Sequence, residues 1–235
     1  MTTALKRFYE TVSVVQTDSG FAVALDGRPV RTPAKSLLAV PTVGLAQAIA
    51  AEWEAQGDEV KPLAMLLTRL ASTAIDKVTS ERLRFVDELA GYAASDLLCY
   101  RAEHPPELVA RQEAQWQPLL DWAEARYAVR LEVTQGVVPR PQPAAALAAL
   151  RATVEVQDAM SLSALHSATT AAGSLVIGLA LLDSRLNADE AFELAELDES
   201  FQIEQWGEDL EAARRREAIR AEFHAVADFI VLCRA

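Results

Sequence analysis

SLLAVPTVGLAQAIAAEWEAQG, Ser36 to Gly57, changes its period part-way along. Up to Pro41 it reads as a short extended piece at a sheet edge, where a missing backbone N–H is tolerated. From Thr42 the pattern is helical. Thr42 is a candidate cap, LAQAIAAEWEAQ is apolar at helical spacing, and Gly57 supplies a candidate stop. A strand pattern that hands over to a helix in this way predicts a helix laid on a small sheet.

Working outward toward the N-terminus, FYETVSVVQ and FAVALDG both alternate, with DSG as the turn between them. Asp26-Gly27 is a hairpin dipeptide, because a type I′ turn needs positive φ at both central residues. RPVRTP follows as a further extended piece, and Pro29, Pro33 and Pro41 point to edges rather than central strands.

Past Pro62 the text is almost wholly helical. PLAMLLTRLASTAIDKV and SERLRFVDELAGYAA are two candidates, the second with Ser80 as its cap. PPELVARQEAQWQPLLDWAEARY starts on prolines that suit a first turn, and Pro118 within it predicts a kink or break. LEVT reads as a short strand or as extended chain. QPAAALAALRATVEVQD, SLSALHSATTAAGSLVIGLALLD, NADEAFELAELDESFQIEQ and a helix from about Leu210 to Cys233 complete the series. GSLVIGLALLD is apolar all round, which marks the centre of the helical part. The predicted fold class is α+β. An antiparallel β-rich domain with one packed helix spans residues 1–62, and a larger all-helical domain spans 63–235.

Composition supports a globular chain: 51% of the 235 residues are hydrophobic and 24% charged. The formal net charge is -12, and the stretch from Asp183 to Glu211 holds eleven acids against Arg185 alone. Such a field repels phosphate backbones, so nucleic acid is excluded as a partner and a basic or polar protein surface is favoured. Plain solvation of an acidic face is the bland alternative. Cys99 and Cys233 sit far apart in apolar company, with neither a disulfide pattern nor a zinc spacing. The N-terminus shows no signal or presequence, and the longest apolar run, Ala171 to Leu182, is too short to span a bilayer. A soluble protein of a reducing compartment, without membrane partners, is expected.

Motifs for chemistry are scarce. His104, His166 and His224 form no ligand pair, and His166 reads as a core histidine with a hydrogen-bond partner. Neither a nucleophile elbow nor a phosphate-binding glycine loop is present. Glu204 and Glu208 are four apart and on one helix would share a face, which leaves an acid–base hydrolase as the alternative function. Arg214, Arg215 and Arg216 read as helix pairing, with Glu211 to Arg215 in the favourable order. Of the four tryptophans, Trp116 and Trp122 are expected half-buried, and Trp53 is expected to stitch its helix to the sheet.

The most unusual segment is LDESFQIEQWGEDLEA, Leu197 to Ala212. It carries six acids and no base, yet holds Phe201 and Trp206. These two aromatics are either anchors for a partner or the packing that fixes the helix, with core the first expectation for Trp206. Gly207 lets the helix end or bend there.

KRFYETVSV, GFAVALDGRPVRTP, LAQAIAAEWEAQG, LTRLASTAID, SDLLCYRAE, WQPLLDWAEARY and DESFQIEQWGED, in this order, resemble one family over about residues 6–230. It is the family of assembly chaperones for the F1 head of the F-type ATP synthase, the member dedicated to the alpha subunit. The resemblance implies a small β-rich domain before a larger helical one, no catalysis and no cofactor or metal. It also implies a client, the free alpha subunit, held until beta replaces it, and a monomeric protein. A bacterial cytoplasm is expected, the mitochondrial matrix being the alternative. On this reading Asp198, Glu199, Gln202, Glu204, Trp206 and Glu208 meet the client, while Trp53, Asp96, Tyr100 and Gly207 are structural.

Overall fold

The computed structural model describes residues 5–136, 138 and 140–235. The chain divides into two compact units. One comprises Met1–Arg82, Ala159–Ala164 and Asp228–Ala235, the other Leu83–Asp158 and Leu165–Ala227.

The first unit is built on an antiparallel sheet. Strand β2 (Val12–Thr17) pairs along its whole length with β3 (Gly20–Leu25), from Val12 opposite Leu25 to Thr17 opposite Gly20. On its other side β3 takes two short partners, β4 (Arg28–Pro29) and β5 (Ala39–Val40). The central strand is therefore the apolar one, with Ala22 to Leu25 all buried. The β3–β4 turn holds Asp26 at φ 48° and Gly27 at φ 76°, the positive values that the dipeptide predicts. Strands β1 (Leu5–Lys6) and β6 (Glu59–Val60) form a separate antiparallel pair.

Helix α1 (Val43–Glu54) packs on β2 and β3 through Leu45, Ala46, Ile49 and Trp53. Thr42 caps it, its Oγ1 accepting from the Leu45 N–H at 3.1 Å. The other end differs from expectation. The helix ends at Glu54 on Ala55 in right-handed conformation, and Gly57 takes no positive φ. The reason is that side chains satisfy the last carbonyls: the Tyr9 hydroxyl donates to Trp53 O at 2.6 Å and Arg7 donates to Glu54 O at 3.1 Å.

The segment after Pro62 is not one helix. A 3-10 turn (Pro62–Ala64), helix α2 (Leu66–Thr73) and a π turn (Ala74–Val78) follow one another. The Glu52 carboxylate on α1 accepts from the Leu67 and Thr68 N–H groups at 2.7 and 2.8 Å and so caps α2. Asp76 accepts from Thr32 Oγ1 at 2.6 Å and from the Ala34 N–H at 2.9 Å. These ties hold residues 63–82 in the first unit, although strand patterns stop in the sequence near residue 62. Ser80 closes the π turn by donating to Asp76 O at 2.7 Å, and does not cap the next helix.

Among the described residues of the second unit, the strands are one two-residue parallel pair, β7 (Tyr100–Arg101) with β8 (Thr134–Gln135), and the rest is helices and their connections. Its helices are α3 (Arg82–Ala94), α4 (Pro106–Tyr127), α5 (Ala144–Glu155), α6 (Ala159–Ala172), α7 (Leu175–Leu182), α8 (Ala188–Ala195), α9 (Leu197–Trp206) and α10 (Leu210–Arg234). The first part of α6 and the last part of α10 belong to the first unit. Helix α4 runs through Pro118 without a break. Pro118 and Ala114 lie on its exposed face, so water can reach the carbonyl that proline leaves unbonded.

All eight residues of α7 are buried, as its composition predicts. Gly173, at φ 67°, separates it from α6. Ser174 then caps it, accepting from the Ile177 N–H and donating to Asp96 at 2.7 Å. Asp96 is wholly buried and also accepts from the Val176 and Leu98 N–H groups at 3.1 Å. Among the described residues no helix is long and apolar enough to cross a membrane, and no group of three ligand-type side chains could hold a metal.

Candidate functional site

Helix α9 buries one narrow stripe. Leu197 and Phe201, four apart, are 2% and 6% exposed, and Ile203 is half-buried. The acids occupy the remaining surface, but not all of them face outward. Arg111 on α4 forms a bidentate pair with Glu204 at 2.7 and 2.8 Å and stacks over the Phe201 ring at 5.3 Å. This hydrogen-bonded pair raises the Arg111 pKa and lowers that of Glu204. Asp198 accepts from Gln112 Nε2 at 2.7 Å. Burial pushes its pKa up, against that bond and the charge of Arg101. Asp198 and Glu204, both expected to meet a partner, are therefore committed within the molecule.

The same second unit explains the arginine run. Arg215 and Arg216 both reach Glu196 at 3.1 Å, Arg216 donates to Ser200 Oγ at 3.0 Å, and its guanidinium lies over Phe192. The run thus joins α10 to the α8–α9 junction, where the sequence suggested the Glu211–Arg215 pair within one helix. Glu196, only 6% exposed, is paired rather than stranded.

Gly207 ends α9 at φ 83° and ψ 167°, a region that is essentially glycine-only, and its N–H donates to Ile203 O at 2.8 Å. Asp209 then starts α10, accepting from the Glu211 and Ala212 N–H groups at 2.8 and 2.9 Å. Glu208 lies outside the helix and reaches Arg216 at 3.4 Å. Glu204 and Glu208 therefore share no helical face, and the geometric basis for a carboxylate pair is gone.

The expectation that Trp206 belongs to the core is corrected. Its side chain is 77% exposed, because Gly207 terminates the helix before anything packs over the ring. Leu210, across the glycine, is 68% exposed. Two large apolar side chains thus stand in water amid Glu208, Asp209 and Glu211. Gln202 is exposed and Glu199 half-exposed on the preceding turns. Leu210 escapes a sequence reading because it looks like the first core residue of the last helix. Arg111 escapes because it lies 93 residues from its partner.

The expected structural residues lie elsewhere. Trp53 is buried in the first unit and Asp96 in the second, while Tyr100 is half-buried in β7 opposite Thr134. Trp116, expected half-buried, is fully buried and donates to Leu194 O at 3.0 Å, whereas Trp122 is half-buried as expected. His166 is partnered as expected, its Nε2 lying 3.1 Å from Glu88 and its ring against Phe85, but it is half-buried rather than a core residue.

Comparison with known proteins places this surface in context. Residues 6–124 match the family model described as ATP12 chaperone protein. The crystal structure of Atp12 from Paracoccus denitrificans is 41% identical, with 97% of this chain and 98% of that one covered and a TM-score of 0.90. A protein of Agrobacterium tumefaciens is also 41% identical, over 97% of this chain and 85% of its own, with a TM-score of 0.91. The mitochondrial atp12 protein of Schizosaccharomyces pombe is 23% identical over 222 residues, which cover 87% of this chain and 74% of the relative. The chain belongs to the ATP12 chaperone family.

Proposed function

We propose that this protein binds the unassembled alpha subunit of the F-type ATP synthase head and shields its interface until the beta subunit replaces it. The observation that carries the reading is the exposed pair Trp206 and Leu210 within an acidic segment. An unassembled subunit exposes an apolar interface that aggregates unless covered. A holder needs a few apolar anchors for affinity and a charged rim for fast, selective encounter, with an exchange rate that permits release. Of the acids in the segment, Glu199, Asp209 and Glu211 supply the rim, while Glu204, Asp198 and Glu208 are tied within the molecule and fix the segment that presents it. Membership in a chaperone family supports this reading over the hydrolase alternative. A bacterial cytoplasm is the proposed setting, and a monomer the proposed form. The higher identity to the two bacterial proteins supports that setting.

The test is binding of purified alpha subunit to the Trp206→Ala/Leu210→Ala variant. Affinity is expected to fall tenfold or more, as for central anchors. Unfolding free energy should change by less than about 0.5 kcal/mol, because both side chains are exposed. Glu199→Lys should slow association at low salt, with the difference vanishing at high salt. Unchanged affinity in the double variant would remove this surface from the function.

A further inference from the structure

The first unit contains a cleft of about 470 Å³ that the surface around Trp206 does not involve. Its lining is mainly apolar and includes Leu38, Trp53, Met65 and Leu63. Asp76 straps two of the lining segments together through Thr32 and Ala34. The cleft is thus a built feature rather than a gap between loose loops.

Two observations bear on what it holds, beside the ring of Trp53 in its wall. Leu63, at the cleft, is 83% exposed, so apolar surface continues outside it. That suits a chain running through the cleft better than a small molecule enclosed by it. Exposed Arg31 and Lys77 also line it, while the Asp76 carboxylate is engaged by its own hydrogen bonds. The lining is thus locally cationic in a protein of net charge -12.

We propose that this cleft is a second client site, which takes an extended protein segment carrying apolar side chains beside a carboxylate. The inference rests on the chaperone family and not on which subunit is the client. Apolar side chains would seat against Leu38, Met65 and Leu63. The carboxylate would face Arg31 and Lys77. This charge preference is opposite to that of the acidic surface around Trp206, so two sites of one protein would select different stretches of one client.

The test uses the full chain, labelled with nitrogen-15 in its tryptophan indoles, and the capped peptide acetyl-Asp-Leu-Val-Leu-amide as probe. The Trp53 indole signal is expected to shift saturably. The peptide with lysine in place of aspartate should bind about threefold or more weakly, the size of exposed charge pairs. Leu63→Ser should weaken both peptides, and Arg31→Glu/Lys77→Glu should reverse the preference between them. All three substituted positions are exposed, so these variants fold. A Trp53 signal that stays fixed at millimolar peptide overturns the proposal, as does equal binding of the two peptides. Such a failure leaves alpha binding through Trp206 and Leu210 intact, because that is read with the whole subunit and other variants.

Discussion

Asp96 shows how much a single residue does without touching any partner. Its carboxylate accepts from Ser174, Leu98 and Val176 inside a helical core, and burial pushes its pKa up to about 6. Those bonds join the turn before β7 to the first turn of α7. Asp96→Ala leaves buried donors without acceptors and is expected to cost about 2–4 kcal/mol of unfolding free energy. Because the folded pKa is raised above the unfolded value, the stabilisation from this group is greatest below pH 4 and is lost as pH rises through about 6. The gap between the wild type and Asp96→Ala should therefore narrow from pH 4 to pH 7, as read by denaturant titration. A gap that widens would reverse the assigned sign. Next to it, burial and the Asp96 charge push the Cys99 thiol up to about 12. Native alkylation at pH 8 should spare Cys99 and modify the half-exposed Cys233 first, as mass spectrometry of the labelled peptides would show. At this scale the sequence is least legible. Trp116 and Trp206 both sit in polar helical text, yet one is fully buried and the other 77% exposed. The difference lies in distant partners, Leu194 O for one and none above the ring for the other.

The elements were more legible than their joints. Alternation, the Asp26-Gly27 dipeptide and the Thr42 cap each encode a local geometry, and each appears in the structure. The missed joints depend on contacts made far away. Helix α1 stops on Tyr9 and Arg7 rather than Gly57, and α2 is capped by Glu52 from another helix. Pro118 leaves α4 unbroken because it lies on the solvent face. Gly207 is the joint on which the proposed function turns, since it both ends α9 and leaves Trp206 and Leu210 standing in water. Gly207→Ala must force an L residue into a glycine-only conformation at a cost of about 1–3 kcal/mol, or extend the helix and re-aim both side chains. Either way, alpha binding should fall by more than the loss of thermal stability alone accounts for, checked by binding and melting on the same preparation. Binding equal to the wild type would show that the break at Gly207 is dispensable.

At the scale of the molecule, the class was readable because the two halves use different periods, two in the first forty residues and helical thereafter. The α+β architecture agrees with the relatives of known structure. Part of the candidate surface was readable too, because acids and aromatics rarely share one segment without a reason. Which acids face outward was not readable, because Arg111 and Gln112 claim Glu204 and Asp198 from across the unit. The charge distribution also belongs to this scale. An acidic surface with apolar anchors suits a holder that binds fast and releases by competition, with no energy input. The direct measurement is co-expression of this chain with the alpha subunit of its own organism, followed by size exclusion, with beta alone as control. The proposed role predicts a soluble one-to-one complex with alpha, none with beta alone, and its dissolution when beta is added to the alpha complex. Alpha that aggregates regardless, with no complex formed, would contradict it.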